Sequence, residues 1–275
     1  MTVDKDDRPR NLPAGRKAQL AAFVADAGQV TVAELAERFK VSIDTVRRDL
    51  DQLAADGALV RTYGGAVSLS TAARADRAVD QRLALQEQEK EKIATLAAEL
   101  VQDSSTIMIN GGSTTLAVAR RLGQHRDLTV ATNNLLVPGA LPVTAIRDIY
   151  VFGGAVRQLT LATIGSVSFR ASGGADLDIT CDLALIGVGA VAADAGFTTS
   201  NIAEAAMMQE MISRSARVAI LADSSKFDRR LFAQVSELSA ADYLITDTAP
   251  PEPLQEALTA AGVAVITPAS GSRRP

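Results

Sequence analysis

Four short polar segments of this chain carry residue types that hold anions. Asn110-Gly111-Gly112-Ser113-Thr114-Thr115 follows an apolar run and opens the helical stretch Leu116 to Leu122. Glycines there let the backbone come close to a ligand. The free N–H groups of a helix start, with Ser and Thr hydroxyls beside them, form a cradle for negative charge. The segment lacks the lysine of a nucleotide phosphate loop and the third glycine of a dinucleotide fingerprint, so ATP and NAD are poor candidates. Thr132-Asn133-Asn134, Gly153-Gly154 and Asp223-Ser224-Ser225-Lys226 also end apolar runs. Any one of them reads equally well as a turn. Four such ends converging on one crevice, one of them bearing Lys226, suit a small anionic ligand.

A different chemistry is written nearer the start. Leu20, Phe23 and Val24 recur at helical spacing over Arg16 to Ala25, and Asp26-Ala27-Gly28 supplies a stop. Thr31 with Glu34 forms a capping box ahead of Leu35, Ala36 and Phe39. Ser42 then caps a third helix in which Val46, Leu50 and Leu53 share a buried face. At about 100° per residue, Asp44 and Arg48 project opposite that face, with Thr45 and Arg47 on its flanks. A short, polar, guanidinium-bearing helix start can enter a major groove and pair with guanine edges or phosphates. Two adjacent arginines alone read as a solvated face. Their place after a capped helix and a short turn, with Gly57 as a stop, favours the groove. Leu59 to Tyr63 is rich in strand formers, and Gly64-Gly65 offers a tight turn before Ala66-Val67. The expected hairpin puts Arg61 and Tyr63 at its tip, within reach of a phosphate or the minor groove; the alternative is a plain hairpin closing a small core.

The elements that must position the anion-holding segments form a different pattern. Apolar β-type runs at Thr106–Ile109, Leu128–Ala131, Ile149–Phe152, Leu183–Ile186, Val218–Leu221, Tyr243–Thr246 and Val263–Ile266 alternate with helical stretches. Continuous apolar strands separated by helices predict an α/β domain with a mostly parallel, doubly wound sheet, whose ligands bind beyond the carboxyl ends of the strands. Ser68 to Glu91 is rich in Ala, Arg, Gln and Glu with no Gly or Pro, the composition of an exposed, partly helical connector. The expected organisation is a DNA-binding head over residues 12–68, a linker over 69–91 and the α/β domain over 92–268.

Composition narrows the classes. The 275 residues carry a net charge of −4, and residues 1–66 hold ten Lys/Arg against ten Asp/Glu, so DNA binding rests on local placement of charge. A single cysteine, Cys181, rules out an internal disulfide, and a single histidine, His125, leaves no zinc site of the usual ligand types. His125 lies in the polar stretch Gly123 to Asp127 and reads as an exposed loop residue. With neither a signal-like start nor an apolar run long enough to span a bilayer, a soluble cytoplasmic protein is expected, without a membrane partner, cofactor or metal.

The stretch "VTVAELAERFKVSIDTVRRDLDQLAADGALVRTYGGA", Val30 to Ala66, resembles the signature of the DeoR family of bacterial regulators. "INGGSTT", "ATNN", "VFGGAVR", "DAGFTT" and "ILADSSKF" look like the stations of that family's larger domain, which is similar in fold to ribose-5-phosphate isomerase and responds to phosphorylated sugars. The resemblance implies a helix-turn-helix over Val30 to Asp49 with a wing, and double-stranded operator DNA as partner. The residues expected at the DNA are Thr31, Ser42, Ile43, Asp44, Thr45, Arg47, Arg48, Arg61 and Tyr63. Asp49 reads as structural, pairing with a nearby arginine. The residues expected at a phosphorylated-sugar effector are Asn110, Gly112, Ser113, Thr114, Thr115, Asn133, Gly154, Glu204 and Lys226. Two positions depart from the family: Asn110 stands where aspartate is common and Met208 where lysine is common. The competing readings are an isomerase-like enzyme, with Glu204, Asp223 and Lys226 as the remaining candidates for proton transfer, and an architectural DNA protein, which leaves the anion-holding domain without a role. A small head makes too few contacts alone, so a homodimer or homotetramer is expected.

Overall fold

The computed structural model describes residues 13–27, 29–62, 65–68, 85–170 and 176–268, and the chain divides into two compact units at residues 75 and 76. In the first unit, helices α1 (Pro13–Ala27), α2 (Val32–Phe39) and α3 (Ile43–Ala55) pack on a small antiparallel sheet of β1 (Gln29–Thr31), β2 (Leu59–Thr62) and β3 (Gly65–Ser68). Leu20, Val24, Leu35, Val46 and Leu50 are fully buried in its core, as the helical spacing of these residues requires. Lys40 ends α2 in the left-handed region (φ 52) and Gly57 does the same after α3 (φ 70), so each helix stops where the turn must begin.

The wing departs from expectation. β3 is the central strand of that sheet, between β1 and β2. A Cβ on Gly65 would sit 2.0 Å from the Val30 carbonyl oxygen, so this glycine permits close packing of β3 on β1 as well as bordering a turn. Arg61 lies within β2 opposite Ala66, short of the tip, and Tyr63 lies outside the described residues.

The second unit runs α4 (Glu87–Ala98), β4 (Thr106–Ile109), α5 (Ser113–Arg121), β5 (Leu128–Thr132), α6 (Val137–Ala140), β6 (Ile146–Val151), β7 (Ala155–Arg157), β8 (Ala162–Ile164), β9 (Phe169–Arg170), β10 (Asp176–Leu177), β11 (Leu183–Gly187), β12 (Ala190–Ala192), β13 (Gly196–Thr199), α7 (Ile202–Ser213), β14 (Val218–Leu221), β15 (Ala233–Ser236), β16 (Tyr243–Ile245), α8 (Glu252–Ala260) and β17 (Ala264–Ile266). Seven strands form one parallel sheet in the order β17-β16-β14-β11-β4-β5-β6. Alternate residues serve opposite faces: Ile107, Ile109, Leu183 and Leu185 pack under α4 and α5, while Met108, Ala184 and Ile186 join Met207, Met211 and Leu254 from α7 and α8. The chain winds outward from β4 to β6, then returns to β11 and winds the other way. The topological switch point therefore lies between β4 and β11, where an open α/β sheet parts to form a crevice.

All seven expected runs are strands of this sheet, although β6 begins at Ile146, three residues before the apolar run. The small antiparallel pieces β7–β8, β9–β10 and β12–β13–β15 have no counterpart in the sequence reading. α4 begins at Glu87, inside the stretch read as connector. His125 is half-buried rather than exposed, with Nδ1 3.7 Å from Asp103 Oδ1. Burial pushes the Cys181 thiol up to about 12, so it remains a protonated core residue.

Candidate functional site

On the head, α3 presents Asp44, Arg48 and Asp51 along one face by their spacing, with Arg47 beside them. Ile43, Asp44, Arg47 and Arg48 are exposed, and Thr45 is half-buried. Arg47 stands 3.6 Å from Asp44, while Arg48 has no ion pair among the described residues. Two expected DNA contacts are engaged inside the fold. The Thr31 hydroxyl accepts the Glu34 N–H at 3.2 Å and donates to the Glu34 carboxylate at 2.8 Å. The Ser42 hydroxyl accepts the Thr45 N–H at 3.2 Å and lies 2.8 Å from the Thr45 hydroxyl. These side chains close the helix starts and aim α3.

Arginines hold α3 from two sides. Arg16 of α1 donates to Asp49 at 2.7 Å, and that bond raises the guanidinium above its ordinary value. Arg61 donates to the Asp51 carboxylate and to the Gly65 carbonyl, each at 2.8 Å, joining the wing to α3. Sequence reasoning anticipated a partner for Asp49 but missed Asp51, whose charge is one of many on an exposed face.

In the larger unit, the polar strand ends lie along one carboxyl edge and bond to one another. Asn110 is 1 % exposed; its Nδ2 donates to the Gly187 carbonyl and its Oδ1 accepts the Gly187 N–H, both at 2.8 Å. It is thus a clamp across the switch point, using a donor that an aspartate lacks. Asn133 Oδ1 accepts the Gly111 N–H at 2.7 Å, and Asn134 donates to the Gly112 carbonyl at 3.2 Å. Thr115, fully buried, donates to the carbonyls of Asn110 and Gly112. These bonds fix the turn that starts α5. Gly112 is the N-cap, in extended backbone, and supplies no side-chain cap. The half-exposed Ser113 and Thr114 hydroxyls have no partner among the described residues. The first amides of α5 therefore face the crevice without an internal acceptor.

One strand, β11, separates β4, which leads into α5, from β14, which leads to the turn bearing Lys226. Carboxylates fix its turn. Asp247 Oδ1 accepts the Ser224 N–H at 2.7 Å, and Asp223 accepts from the Ser225 N–H and hydroxyl. Gly154 adopts φ 128, and a Cβ there would meet the Ile164 carbonyl at 2.1 Å, so it permits close approach of two backbones. Glu204, near the start of α7, accepts from Arg157 at 2.9 Å and from Thr160 at 3.3 Å. Met208 lies buried in the core.

Sequence reasoning missed Arg157 and Asp247. Arg157 is the last letter of "VFGGAVR", so the motif had pointed at it; Asp247 follows a strand end of the same polar kind as Asp223.

A winged helix-turn-helix head followed by a parallel α/β domain with an open helix start at its switch point defines a DNA-binding transcription regulator with a ligand-sensing domain. The chain belongs to the DeoR family: the DeoR-like helix-turn-helix domain matches residues 16–72 and the DeoR C terminal sensor domain matches residues 85–248. It is 31% identical over 255 residues to the HTH-type transcriptional repressor CsqR of Escherichia coli, covering 92% of this chain and 95% of that one. It is 32% identical over 237 residues to the glycerol-3-phosphate regulon repressor of the same organism, covering 86% and 92%. Among solved structures, ribose 5-phosphate isomerase from Plasmodium falciparum aligns with a TM-score of 0.36 and 16% identity over 50% of this chain and 52% of that one. Among the described residues, no helix is long and apolar enough to cross a membrane.

Proposed function

We propose that this regulator is a repressor whose operator binding is controlled by a phosphorylated sugar, or a similar small anionic metabolite, held at the carboxyl edge of the sensor sheet. The observation that carries the reading is the uncapped start of α5 at the switch point, with Gly112, Ser113 and Thr114 presenting amides and hydroxyls. Lys226, on a turn fixed by Asp223 and Asp247, supplies positive charge from the end of β14, two strands along the sheet from β4. The names of several relatives agree with this ligand class, the glycerol-3-phosphate regulon repressor among them. The ligand acts only through a difference in affinity between DNA-competent and incompetent arrangements of a homodimer or homotetramer. No residue is assigned a catalytic role, since Asn110 is neutral and bonded to Gly187 while Glu204 is held by Arg157.

A thermal-shift screen of the purified protein against phosphorylated and unphosphorylated sugars tests the ligand class. Operator release measured on Lys226→Ala tests the site. Release by a phosphorylated sugar is expected in the parent and lost in the variant, with operator binding by the unliganded variant unchanged. Release at the parent's ligand concentration would remove Lys226 from the site.

A further inference from the structure

The β7–β8 hairpin brings an unassigned cation to the wall of this crevice. Its Ala162 packs so tightly on the turn before α5 that a Cβ on Gly111 would lie 2.7 Å from the Ala162 methyl. Arg157 is the cross-strand partner of Ala162, which places its backbone about 5 Å farther out, within an arginine's reach of the α5 start. Asn133 ties the same parts together: it accepts from Gly111, donates to the Thr163 carbonyl of β8 at 2.8 Å, and donates to Met207 of α7 at 3.3 Å. One turn before Met207 on α7 stands Glu204, whose Oε1 takes the Arg157 guanidinium at 2.9 Å. Both side chains keep some contact with solvent, 19% for Arg157 and 13% for Glu204.

Resting on the phosphate-site reading above, we propose that Arg157 is a switched ligand for the effector's anionic group, held by Glu204 when the crevice is empty and transferred to the anion when it is filled. A guanidinium fork fits phosphate oxygens at least as well as it fits a carboxylate, and a phosphate carries more charge. The exchange trades one charge-assisted bond for another without stranding the arginine. It also removes one of the bonds between the β7–β8 hairpin and α7, leaving the Thr160–Glu204 bond, so that ligand occupancy changes how these elements of the sensor are fastened together. Glu204 is then a competitor for the anion's partner rather than a ligand of the sugar, and the two residues must respond to substitution with opposite signs.

Calorimetric titration of the full-length protein with glycerol 3-phosphate, and separately with inorganic phosphate, tests this, with glycerol as the unphosphorylated control. Arg157→Gln should weaken anion binding about tenfold, whereas Glu204→Gln should tighten it severalfold by removing the competing carboxylate. Arg157→Lys, which keeps the charge but not the fork, should fall between parent and Arg157→Gln, and it carries the test if the glutamine variant does not fold. Glycerol should give no heat with any of them. Weaker anion binding by Glu204→Gln overturns the switch. If Lys226→Ala abolishes anion binding while Arg157→Gln and Arg157→Lys leave it unchanged, the phosphate site stands and Arg157 is not part of it. If the parent binds neither anion, both readings fall together.

Discussion

The head and the sensor contain the same polar residue types, yet α2 and α3 of the head close their starts with side chains while most sensor helices do not, and one of these open starts, that of α5, lies at the switch point. In the head, Thr31 and Ser42 bond back to Glu34 and Thr45, so α2 and α3 begin with their own acceptors. In the sensor, Asn201 closes α7 in the same manner, while α5 begins at Gly112 with no side-chain cap, as do α4 at Gln86, α6 at Leu136 and α8 at Pro251. Arginines divide likewise. Arg16, Arg61 and Arg157 are held by carboxylates, and Arg48 is exposed without an ion pair among the described residues. A closed group sets the position of an element. An open one at the switch point is available to a molecule the chain does not contain, and the comparison is broken by opening what is closed or closing what is open.

The largest effect should come from opening the Arg16–Asp49 pair. With side chains 16% and 7% exposed, Arg16→Ala leaves the Asp49 carboxylate beside the head core without its partner. A loss of about 2–4 kcal/mol in head stability is expected, somewhat less than for a fully buried pair. Because Asp49 raises the guanidinium's affinity for its proton, this contribution is complete below the unfolded arginine's range and fades only as pH rises through the still higher folded value. In ordinary buffers it is therefore constant. Thermal unfolding of the variant should show a lowered head transition, and an unmoved transition would make the pair incidental.

Closing the open start is the next test. Gly112→Asp would give α5 the kind of cap that Thr31 and Ser42 give the head. Gly112 has extended backbone that any residue adopts, and the new Cβ would lie 3.1 Å from the Thr115 hydroxyl, which must give by a small shift while keeping its bonds to the Asn110 and Gly112 carbonyls. Sensor stability should change by only about a few tenths of a kcal/mol, since glycine is itself a tolerable N-cap. The response of operator binding to a phosphorylated sugar should disappear, because a carboxylate then occupies the cradle. A retained response would mean that the anion does not sit on these amides.

This contrast also marks what the sequence could show. Spacing of Leu20, Val46 and Leu50, and the strand-like runs Thr106–Ile109 and Val218–Leu221, carry the pattern of burial directly, so the head helices and the parallel sheet were legible. The antiparallel pieces β7–β8 and β12–β13–β15 were not: they are as short as β4 and β14 but lack a run of large aliphatic residues, as in Ala155-Val156-Arg157 or Ala233-Gln234-Val235-Ser236, to mark them. Among site residues, type was legible and engagement was not. Ser42 and Ser113 are alike in sequence, but one faces Thr45 and the other has no partner among the described residues. Asn110 read as the loss of a charge at a ligand; in the fold its amide answers both backbone groups of Gly187, a partner 77 residues away that no local pattern names.

The smallest and sharpest prediction sets the open arginine against a closed one. Arg48 and Arg61 both belong to the expected DNA-binding set, but only Arg61 is tied to Asp51 and Gly65. If Arg48 meets DNA directly, Arg48→Ala should cost about 1–3 kcal/mol when it pairs with a base, and lower the slope of log affinity against log salt by about 1 when it meets a phosphate. The Arg61 guanidinium is already neutralised by Asp51 and bonded to the Gly65 carbonyl, so the slope of Arg61→Ala should match the parent. Its cost in operator affinity, about 0.2–1 kcal/mol, arises from releasing the wing from α3. In an Asp51→Ala background that cost should fall to the contribution of the Gly65 bond alone, because the carboxylate that Arg61 grips is already gone. The four proteins of this cycle, titrated with operator at several salt concentrations, separate the roles. An equal cost in both backgrounds, joined to a slope reduced by about 1, would show that Arg61 leaves Asp51 for a phosphate when DNA arrives, and the wing would then be held by the operator rather than by the recognition helix.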